Sequence, residues 1–486
     1  LVTTDLAATF GVVLSTYLFL RYLMRPSAGR LVAAGVGFGI AELLKFSLIL
    51  LVPYFILIAA VAWVLAVVRH RSDGNFRAHL AEAVRLFIKR MGSLALVFAI
   101  GFLLVYIAYA IVTAGYPLEK QLSDTRGVIA GFTEKPAWFP GTMDSLVENP
   151  VTRPFAHYVL GLSMVFVRAA GGHTGYFLGM VTNAGWPFYF PVVFLMKEPL
   201  PALLLLVLAG ILALRDSSST FFKKNVLSRL SDHLEIFFAE FALLVFIVIY
   251  WVLSVRSPLN IGLRHILPTL PLLYLLVTGS LKQWVERTHL IRNEGVGKSM
   301  DPSNLSPRVR KFRIAPKALL IAALLVWYFA ETLAAAPYFL SYFNQLGGGV
   351  WNGYRFVVDS NYDWGQDLKR FTSWIQEYNR TASDPIHKIA IDYFGGGSPR
   401  YYLGSVGVEA EHWWPARGNP KEQGFEWFAV SVSSLQGGLG KTARGYVRKP
   451  ADEYTWLVEL KGRPDRFGEV PEPEYRIGTS IFLYRL

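Results

Sequence analysis

Long apolar stretches separated by short polar segments occupy the chain up to residue 334. A helix rises about 1.5 Å per residue, so roughly 20 apolar residues cross the ~30 Å hydrocarbon core of a bilayer. Somewhat shorter stretches suffice inside a packed bundle. Eight stretches fit this requirement, at 6–24, 31–47, 48–68, 91–114, 200–214, 234–254, 266–281 and 318–334. The pattern predicts an all-α polytopic membrane bundle of about eight transmembrane helices.

Basic residues gather in alternate loops between these stretches. The Lys- and Arg-rich loops lie at 21–30, 69–90, 215–229 and 282–313. Because such loops stay on the cytoplasmic side, the other loops, including a long one at about 115–199, are predicted to lie outside. One alternative is a single stretch over 31–68 kinked at Pro53, which would reverse all later topology. The charge pattern favours two passes, because one pass would place neighbouring basic loops on opposite sides.

The residues from 337 to 486 have a soluble character and are numerous enough for a core of their own. Residues 363–378 have the pattern of a helix, and the runs KIAIDYF, WFAVSVS and SIFLYRL, from 388, 427 and 480, have the pattern of strands. The sequence therefore predicts a transmembrane domain at 1–336 and a small α/β extracytoplasmic domain at 337–486.

Composition supports a membrane protein and excludes several classes of site. Apolar residues make up 53% of the chain and charged residues only 17%, against roughly 25% charged in soluble proteins. Cysteine is absent, so disulfides, thiolate nucleophiles and Cys-ligated metals are excluded. The net charge of +13 follows the loops rather than one aromatic-rich face, so no nucleic-acid partner is expected.

Five short motifs carry a resemblance to a known family. They are YFNQLGGG at 342–349, DSNYDWGQDL at 359–368, NIGLRHILP at 260–268, GHTGYFLG at 172–179 and FYFPVVFLMKEPLP at 188–201. Together they resemble the bacterial relatives of dolichyl-phosphate-mannose protein mannosyltransferases, which are C-type membrane glycosyltransferases of family 39. The resemblance runs from the first residue to the last, and the family's N-terminal helices and first external loop are expected upstream of Leu1.

The resemblance implies a hexosyl or pentosyl transferase in the bacterial cytoplasmic (inner) membrane. Its partners would be a polyprenyl-phosphate sugar donor, a protein, lipid or glycan acceptor outside the cytoplasm, and the membrane lipids. Such chemistry needs a general base for the acceptor and cations for the leaving phosphate. In relatives the base lies on the first external loop, which is expected upstream of Leu1. The resemblance therefore implies that this chain alone lacks the family's base and binds the donor while transferring sugar only slowly.

Several cations are predicted to bind the donor phosphate. Lys45 lies in an apolar run near the outer surface, where its charge is costly unless it has a partner; pairing with Glu42 or snorkelling to the interface is the structural alternative. Arg264 and His265 lie at the external end of the seventh stretch, where lipid anchoring is the alternative. His173 and Lys197 flank the aromatic segment of the long external loop.

Two sets of carboxylates are candidates for a catalytic residue or for the ligands of a metal ion. Asp5 is the candidate catalytic residue or cation ligand within the chain, although capping of the first helix is the slightly favoured explanation. Asp359, Asp363 and Asp367 are spaced by four residues, as oxygen ligands for a hard cation can be. The start of a helix is the favoured explanation for these three. A divalent cation is therefore the one cofactor that the sequence leaves open.

A function of another class fits much of the same pattern. A non-catalytic membrane subunit, or a transporter of polyprenyl-linked glycans, would use the same outer cations to bind lipid phosphate without transferring sugar. Transporters of that kind usually show two related halves with paired broken helices. No internal repeat is visible in this sequence, and the large external domain favours an enzyme that faces an acceptor.

Overall fold

The computed structural model describes residues 3–69, 76–221, 233–294, 316–443, 445–464 and 466–486. The described chain is mostly helical. Its α-helices are α1 (Thr4–Met24), α2 (Ala28–Leu44), α3 (Leu51–Arg69), α4 (Phe76–Thr113), α5 (Leu118–Ala130), α6 (Phe139–Glu148), α7 (Arg153–Gly171), α8 (Tyr189–Lys197), α9 (Leu200–Phe221), α10 (Phe238–Arg256), α11 (Leu270–Glu294), α12 (Pro316–Ala334), α13 (Gly349–Asn352), α14 (Leu368–Thr381), α15 (Pro399–Gly404), α16 (Val432–Leu439) and α17 (Thr455–Lys461). The strands are β1 (Gly175–Phe177), β2 (Met180–Thr182), β3 (Lys388–Asp392), β4 (Glu409–His412), β5 (Trp427–Ser431), β6 (Lys441–Thr442), β7 (Tyr475–Ile477) and β8 (Ile481–Arg485).

Several helices are long and apolar enough to cross a membrane, so the protein is a membrane protein. Within the described ranges they number five, at Thr4–Met24, Phe46–Arg69, Arg77–Thr113, Phe238–Arg256 and Pro316–Ala334. A sixth span results if Tyr189–Lys197 and Leu200–Arg215, which meet at a bend of 115°, cross as one. The count of eight stays a prediction. Parts of the predicted basic loops, at 70–75, 222–232 and 295–315, lie outside the described residues.

The segment at 31–68 forms two helices, but Pro53 does not separate them. Helix α2 ends at Leu44, Lys45 has extended backbone angles, and a 3₁₀ turn at Phe46–Leu50 leads into α3. Pro53 lies in the first turn of α3, where its missing N–H costs no helical hydrogen bond. The helix break is therefore at the lysine.

The chain divides into two compact units. Unit 1 comprises Leu1–Gly171, Ala209–Ser254 and His265–Arg287, and unit 2 comprises Gly172–Leu208, Val255–Arg264 and Thr288–Leu486. The predicted domains at 1–336 and 337–486 are consecutive along the chain, whereas each of these units combines separate segments. That the chain leaves the membrane at about residue 336 stays a prediction.

Unit 1 has an aromatic core and close contacts between helices. Phe19 and Phe55 stack with ring centroids 3.9 Å apart, and both are fully buried. A Cβ added at Gly39 of α2 would lie 2.7 Å from the carbonyl oxygen of Gly101 on α4. Glycine therefore allows the two backbones to touch, as small residues do between membrane helices.

Unit 2 contains two sheets. In the five-stranded sheet the order is β4-β3-β5-β8-β7, with β3 parallel to both β4 and β5 and the other pairs antiparallel. A three-stranded sheet joins β1 and β2 to β6. The three predicted strands at 388, 427 and 480 are confirmed as β3, β5 and β8. Helix α14 packs Phe371 and Ile375 into the core of the larger sheet.

Candidate functional site

The predicted cation Lys45 and the predicted carboxylate Asp5 form an ion pair in unit 1. The Lys45 ammonium donates to the Asp5 carboxylate, whose side chain is only 4% exposed. The alternative pairing of Lys45 with Glu42 is not formed. Glu42 instead accepts a hydrogen bond from Tyr158 at 2.7 Å. The predicted side-chain cap at the start of α1 is not formed. Thr3 occupies the capping position but its side chain makes no capping hydrogen bond, and Asp5 lies in the first turn of the helix.

Three sequence motifs meet in unit 2 and bring together His173, Arg264 and Asp359, here called the unit 2 cluster. Both His173 and Arg264 act electrostatically on the Asp359 carboxylate. His173 is exposed, whereas Arg264 and Asp359 are half-buried. The arrangement places an imidazole and a guanidinium within electrostatic range of one carboxylate.

The backbone of Asp359 is held in an unusual conformation. Its φ of 58° lies in the left-handed region, which Asp tolerates better than most residues but which still costs energy. The Asp359 N–H donates to Ser433 Oγ at 3.1 Å, and the carboxylate accepts from the Ser360 N–H. Strain of this kind is most often found at functional sites.

Polar contacts fix the segment with Arg264 against the segment with Asp359. Ser360 Oγ donates to the carbonyl oxygen of Ile261 at 2.5 Å, and the Leu263 N–H donates to Asn361 Oδ1 at 2.8 Å. A Cβ at Gly262 would lie 2.1 Å from Ser360 Oγ, so the close approach requires glycine. Asn361 also donates to the hydroxyl of buried Tyr189 at 2.8 Å.

The side chain of Arg264 is oriented by an aromatic ring. Its guanidinium carbon lies 4.1 Å from the ring centroid of Trp364, a cation–π geometry that fixes the guanidinium plane. Burial raises the pKa of Asp359 above its ordinary range, although the Ser360 N–H and the charges of His173 and Arg264 oppose that rise. A carboxylate with a raised pKa is better matched to proton transfer near neutral pH.

Lys197 and His265, the other two predicted phosphate ligands, lie outside the unit 2 cluster. Lys197 Nζ donates to the carbonyl oxygens of Leu340 at 2.7 Å and Asn361 at 2.6 Å, and it lies 4.7 Å from the ring centroid of Phe343. These contacts give Lys197 a structural role that supports Asn361. His265 begins the segment of unit 1 that follows Arg264, and its phosphate role stays a prediction.

The sequence favoured a helix start within the acidic series at 359–367, and this prediction is wrong. A 3₁₀ turn covers Asp359–Asn361, and α14 begins only at Leu368. Asp367 precedes α14 but makes no side-chain cap; it is fully buried and accepts hydrogen bonds from the backbone N–H groups of Thr479 and Ser480 at 2.8 and 3.0 Å. The carboxylate thus ties the turn before β8 to α14.

The three carboxylates also bind different donors rather than a common centre. Asp363 accepts from the Gly365 N–H at 3.1 Å and the Ser433 N–H at 3.4 Å, and Asp367 accepts from the turn at 479–480. Among the residues that the structure describes, no group of three His, Asp or Glu side chains is placed to hold a metal ion.

Asp363 makes a pH-dependent contribution to stability. Burial raises its pKa from 3.8 to about 7. Between these values the folded state keeps a proton that the unfolded state has lost, so this contribution is full below pH ~4 and declines as pH rises through 7. We expect the melting temperature of Asp363→Asn, relative to the unchanged protein, to rise between pH 5 and pH 8.

Thermal unfolding of both proteins across that range measures the difference, and Asp384→Asn, at an exposed ion pair with Arg485, is the control. The amide introduced by Asp363→Asn keeps the oxygen that accepts from Gly365 but loses the acceptor for Ser433, a cost that does not vary with pH. If the melting temperatures of Asp363→Asn and of the unchanged protein changed with pH in parallel, Asp363 would be ionised in the folded protein throughout this range.

No family model, curated protein or solved structure matches this chain. Sequence reasoning missed Trp364, Asn361 and Tyr189 as parts of the site. All three lie within motifs that carried the resemblance, so their position in those motifs was the available signal.

Proposed function

We propose that the chain is an integral membrane glycosyltransferase of the bacterial cytoplasmic membrane, which moves a hexose or pentose from a polyprenyl-phosphate donor to an acceptor outside the cytoplasm. The observation that supports this most is the unit 2 cluster. Segments around residues 173, 264 and 359, distant in the chain, bring an imidazole and a guanidinium within electrostatic range of the Asp359 carboxylate, whose residue has a left-handed backbone. Phosphate recognition and proton removal need groups of these two kinds.

Each member of the cluster has a distinct role in the proposed reaction. Arg264, with its plane fixed by Trp364, and His173 bind the donor phosphate. The acceptor hydroxyl oxygen attacks the anomeric carbon while Asp359 takes its proton. The bond from that carbon to the phosphate oxygen breaks, and polyprenyl phosphate leaves with its charge stabilised by the Arg264 guanidinium and by a hydrogen bond from the His173 imidazole. Attack opposite the leaving group inverts the anomeric centre.

Asp359 is better suited to this proton transfer than Asp5. The Asp5 carboxylate is 4% exposed and already paired with Lys45, so an acceptor hydroxyl reaches it only if that ion pair opens. Asp359 is half-buried with a raised pKa. Lys45, as the partner of Asp5, then stabilises unit 1, and its predicted contact with the donor phosphate requires that the ion pair opens.

Arg264→Ala tests the binding of the donor phosphate. Losing one charge-assisted contact costs about 1.5 to 3 kcal/mol, so the affinity of the full chain for polyprenyl phosphate should fall by about tenfold to a hundredfold. Titration with polyprenyl phosphate in detergent micelles measures this. Arg380→Ala, which removes an exposed arginine paired with Glu377, is the matched control. Equal affinity in the two variants would remove Arg264 from the donor site.

The proposed topology has eight crossings with residue 398 outside the cytoplasm. Single cysteines introduced at Ser72, Ser217, Ser303 and Ser398 test it, because the chain has no cysteine of its own. A membrane-impermeant thiol reagent applied to intact cells should label only the cysteine at 398, since the other three lie in basic loops. Labelling at 303 without labelling at 398 would reverse the topology.

A further inference from the structure

Helix α8 of unit 2 is apolar on two opposite faces. The buried face comprises Tyr189, Phe190, Val193 and Phe194. The other face, counted from the residue before the helix, follows the spacing i, i+3, i+4 and i+7 and comprises Phe188, Pro191, Val192 and Leu195. Phe188 and Leu195 on this second face are exposed. A helix that is apolar all round is normally covered on every side, so the second face needs an apolar environment.

Two neighbouring segments add exposed apolar side chains beside α8. Asn344 donates to the carbonyl oxygen of Leu195 at 2.7 Å and accepts from the Leu346 N–H at 2.9 Å. The ring of Trp351 lies 5.1 Å from that of Tyr338, the residue before Phe339. The exposed side chains of these segments, here called the apolar face, are between 49% and 63% exposed and comprise Phe188, Leu195, Phe339, Leu346 and Trp351. Adjacent exposed apolar side chains of this kind mark an interaction surface.

The apolar face follows directly on a helix of membrane-crossing length. Helix α12 has this length and ends at Ala334, shortly before Phe339. Tyr342 then donates to Glu331, in the last turn of α12, at 2.7 Å. The segment that contributes Phe339 therefore stays beside the end of α12, where the chain meets the membrane surface.

A second apolar helix leaves the other side of this face. Helix α8 meets α9 at a bend of 115°, and the apolar run at 200–214 in α9 is predicted to cross the membrane. A helix that stands nearly at a right angle to a crossing helix lies along the membrane surface. The bend thus gives α8 the orientation that brings its exposed face against the lipid.

We propose that the apolar face inserts into the bilayer interface, with α8 lying along the membrane surface. Interfacial helices bury their apolar side about 5 to 10 Å into the boundary between headgroups and acyl chains. Aromatic side chains such as Phe188 and Trp351 are favoured at this depth. The bilayer is the occupant rather than a second copy of the chain, because the face begins where two long apolar helices end.

Insertion of the apolar face also sets the depth of the unit 2 cluster. The buried side of α8 contacts the loop of Asp359: Asn361 donates to the Tyr189 hydroxyl at 2.8 Å, and its carbonyl oxygen accepts from Lys197 at 2.6 Å. A helix with its side chains is about 10 to 12 Å across. The cluster therefore lies about one helix diameter from the apolar face, at the level of the lipid phosphates. That the donor's phosphate is among them rests on the proposed function, whereas insertion of the face does not.

Spin labels on single cysteines test the insertion, because the chain has no cysteine of its own. The full chain carries Leu195→Cys, Leu346→Cys or Trp351→Cys, with one chain per phospholipid nanodisc and no donor present. Oxygen, which concentrates in the bilayer, should relax these labels more than a water-soluble nickel complex does. Ser383→Cys is the control, since Ser383 is exposed and precedes β3, at the opposite end of the larger sheet from α16. Its label should be several-fold more accessible to the nickel complex than the other three.

A lipid that chelates nickel at its headgroup tests the depth of the unit 2 cluster. Thr174→Cys places a label at an exposed residue next to His173 and leaves the cluster intact. Headgroup nickel should relax this label more strongly than the label of Ser383→Cys. Equal relaxation of the two labels would overturn the placement of the cluster at the level of the phosphates.

Two results would overturn the insertion itself. One is access of the nickel complex to positions 195, 346 and 351 as free as to position 383. The other is protection of these three positions from both oxygen and nickel, which would show that protein rather than lipid covers the face. Insertion without any sugar transfer would instead leave this inference standing and overturn the proposed function alone.

Discussion

Sugar transfer by Asp359→Asn is expected to be about a hundredfold to ten-thousandfold slower than by the unchanged protein, the usual contribution of a general base. Asparagine tolerates the left-handed backbone of this position and keeps an oxygen for the Ser360 N–H. The substitution thus removes the proton acceptor while it preserves the local fold. Polyprenyl-phosphate binding should be retained or strengthened, because a negative charge beside the phosphate is removed.

Initial rates of label transfer from a radiolabelled polyprenyl-phosphate sugar measure this effect, with affinity for polyprenyl phosphate measured in parallel. Asp384→Asn is the matched control, since Asp384 is an exposed carboxylate of the same unit. A transfer rate within a few fold of the unchanged protein would place the general base elsewhere. Asp5→Asn would then be the next variant to assay, together with a protein that carries the segment upstream of Leu1, where the resemblance places the family's base.

Asp367→Ala is expected to destabilise unit 2 by about 3 to 5 kcal/mol, the usual cost of removing one partner from a buried charged network. The Asp367 side chain is fully buried and pairs with Arg370. It also accepts from the N–H and hydroxyl groups of both Thr479 and Ser480. Alanine would leave these donors buried without an acceptor, which costs free energy for each of them.

Chemical unfolding of the full chain, followed by tryptophan fluorescence and by protease sensitivity of the segment near residue 478, measures the effect. Asp384→Ala removes an exposed ion pair and should cost no more than about 1 kcal/mol. Asp367→Asn, which retains one acceptor oxygen, should fall between the two. Equal stabilities for Asp367→Ala and Asp384→Ala would show that the turn at 478–480 folds without the carboxylate.

Features set by local pattern could be predicted from the sequence. The apolar stretches at 6–24, 48–68, 91–114, 234–254 and 318–334 each correspond to a helix of membrane-crossing length. The runs beginning at 388, 427 and 480 became strands because alternating or continuous apolar residues specify them locally. The short strands β1, β2 and β6 were not predicted, since two or three residues carry too little pattern.

Features set by contacts between distant residues could not be predicted. Lys45 pairs with Asp5 rather than with Glu42 one turn away, because the packing of α1 against α2 decides which carboxylate it meets. Spacing also grouped Asp359, Asp363 and Asp367, although each binds different donors. Likewise, the electrostatic influence of His173 and Arg264 on Asp359 depends on how three loops fold together in unit 2.

The proposed function is tested most directly by following both halves of a doubly labelled donor. The full chain, reconstituted in liposomes with bacterial envelope extract as the acceptor source, receives polyprenyl-phosphate hexoses and pentoses labelled in the sugar and in the lipid. We predict that labelled sugar appears on an acceptor in step with free polyprenyl phosphate, and that Arg264→Ala and Asp359→Asn both suppress the two signals. A donor that is bound or carried across the membrane with its sugar–phosphate bond intact would contradict the enzyme and favour the transporter or non-catalytic subunit.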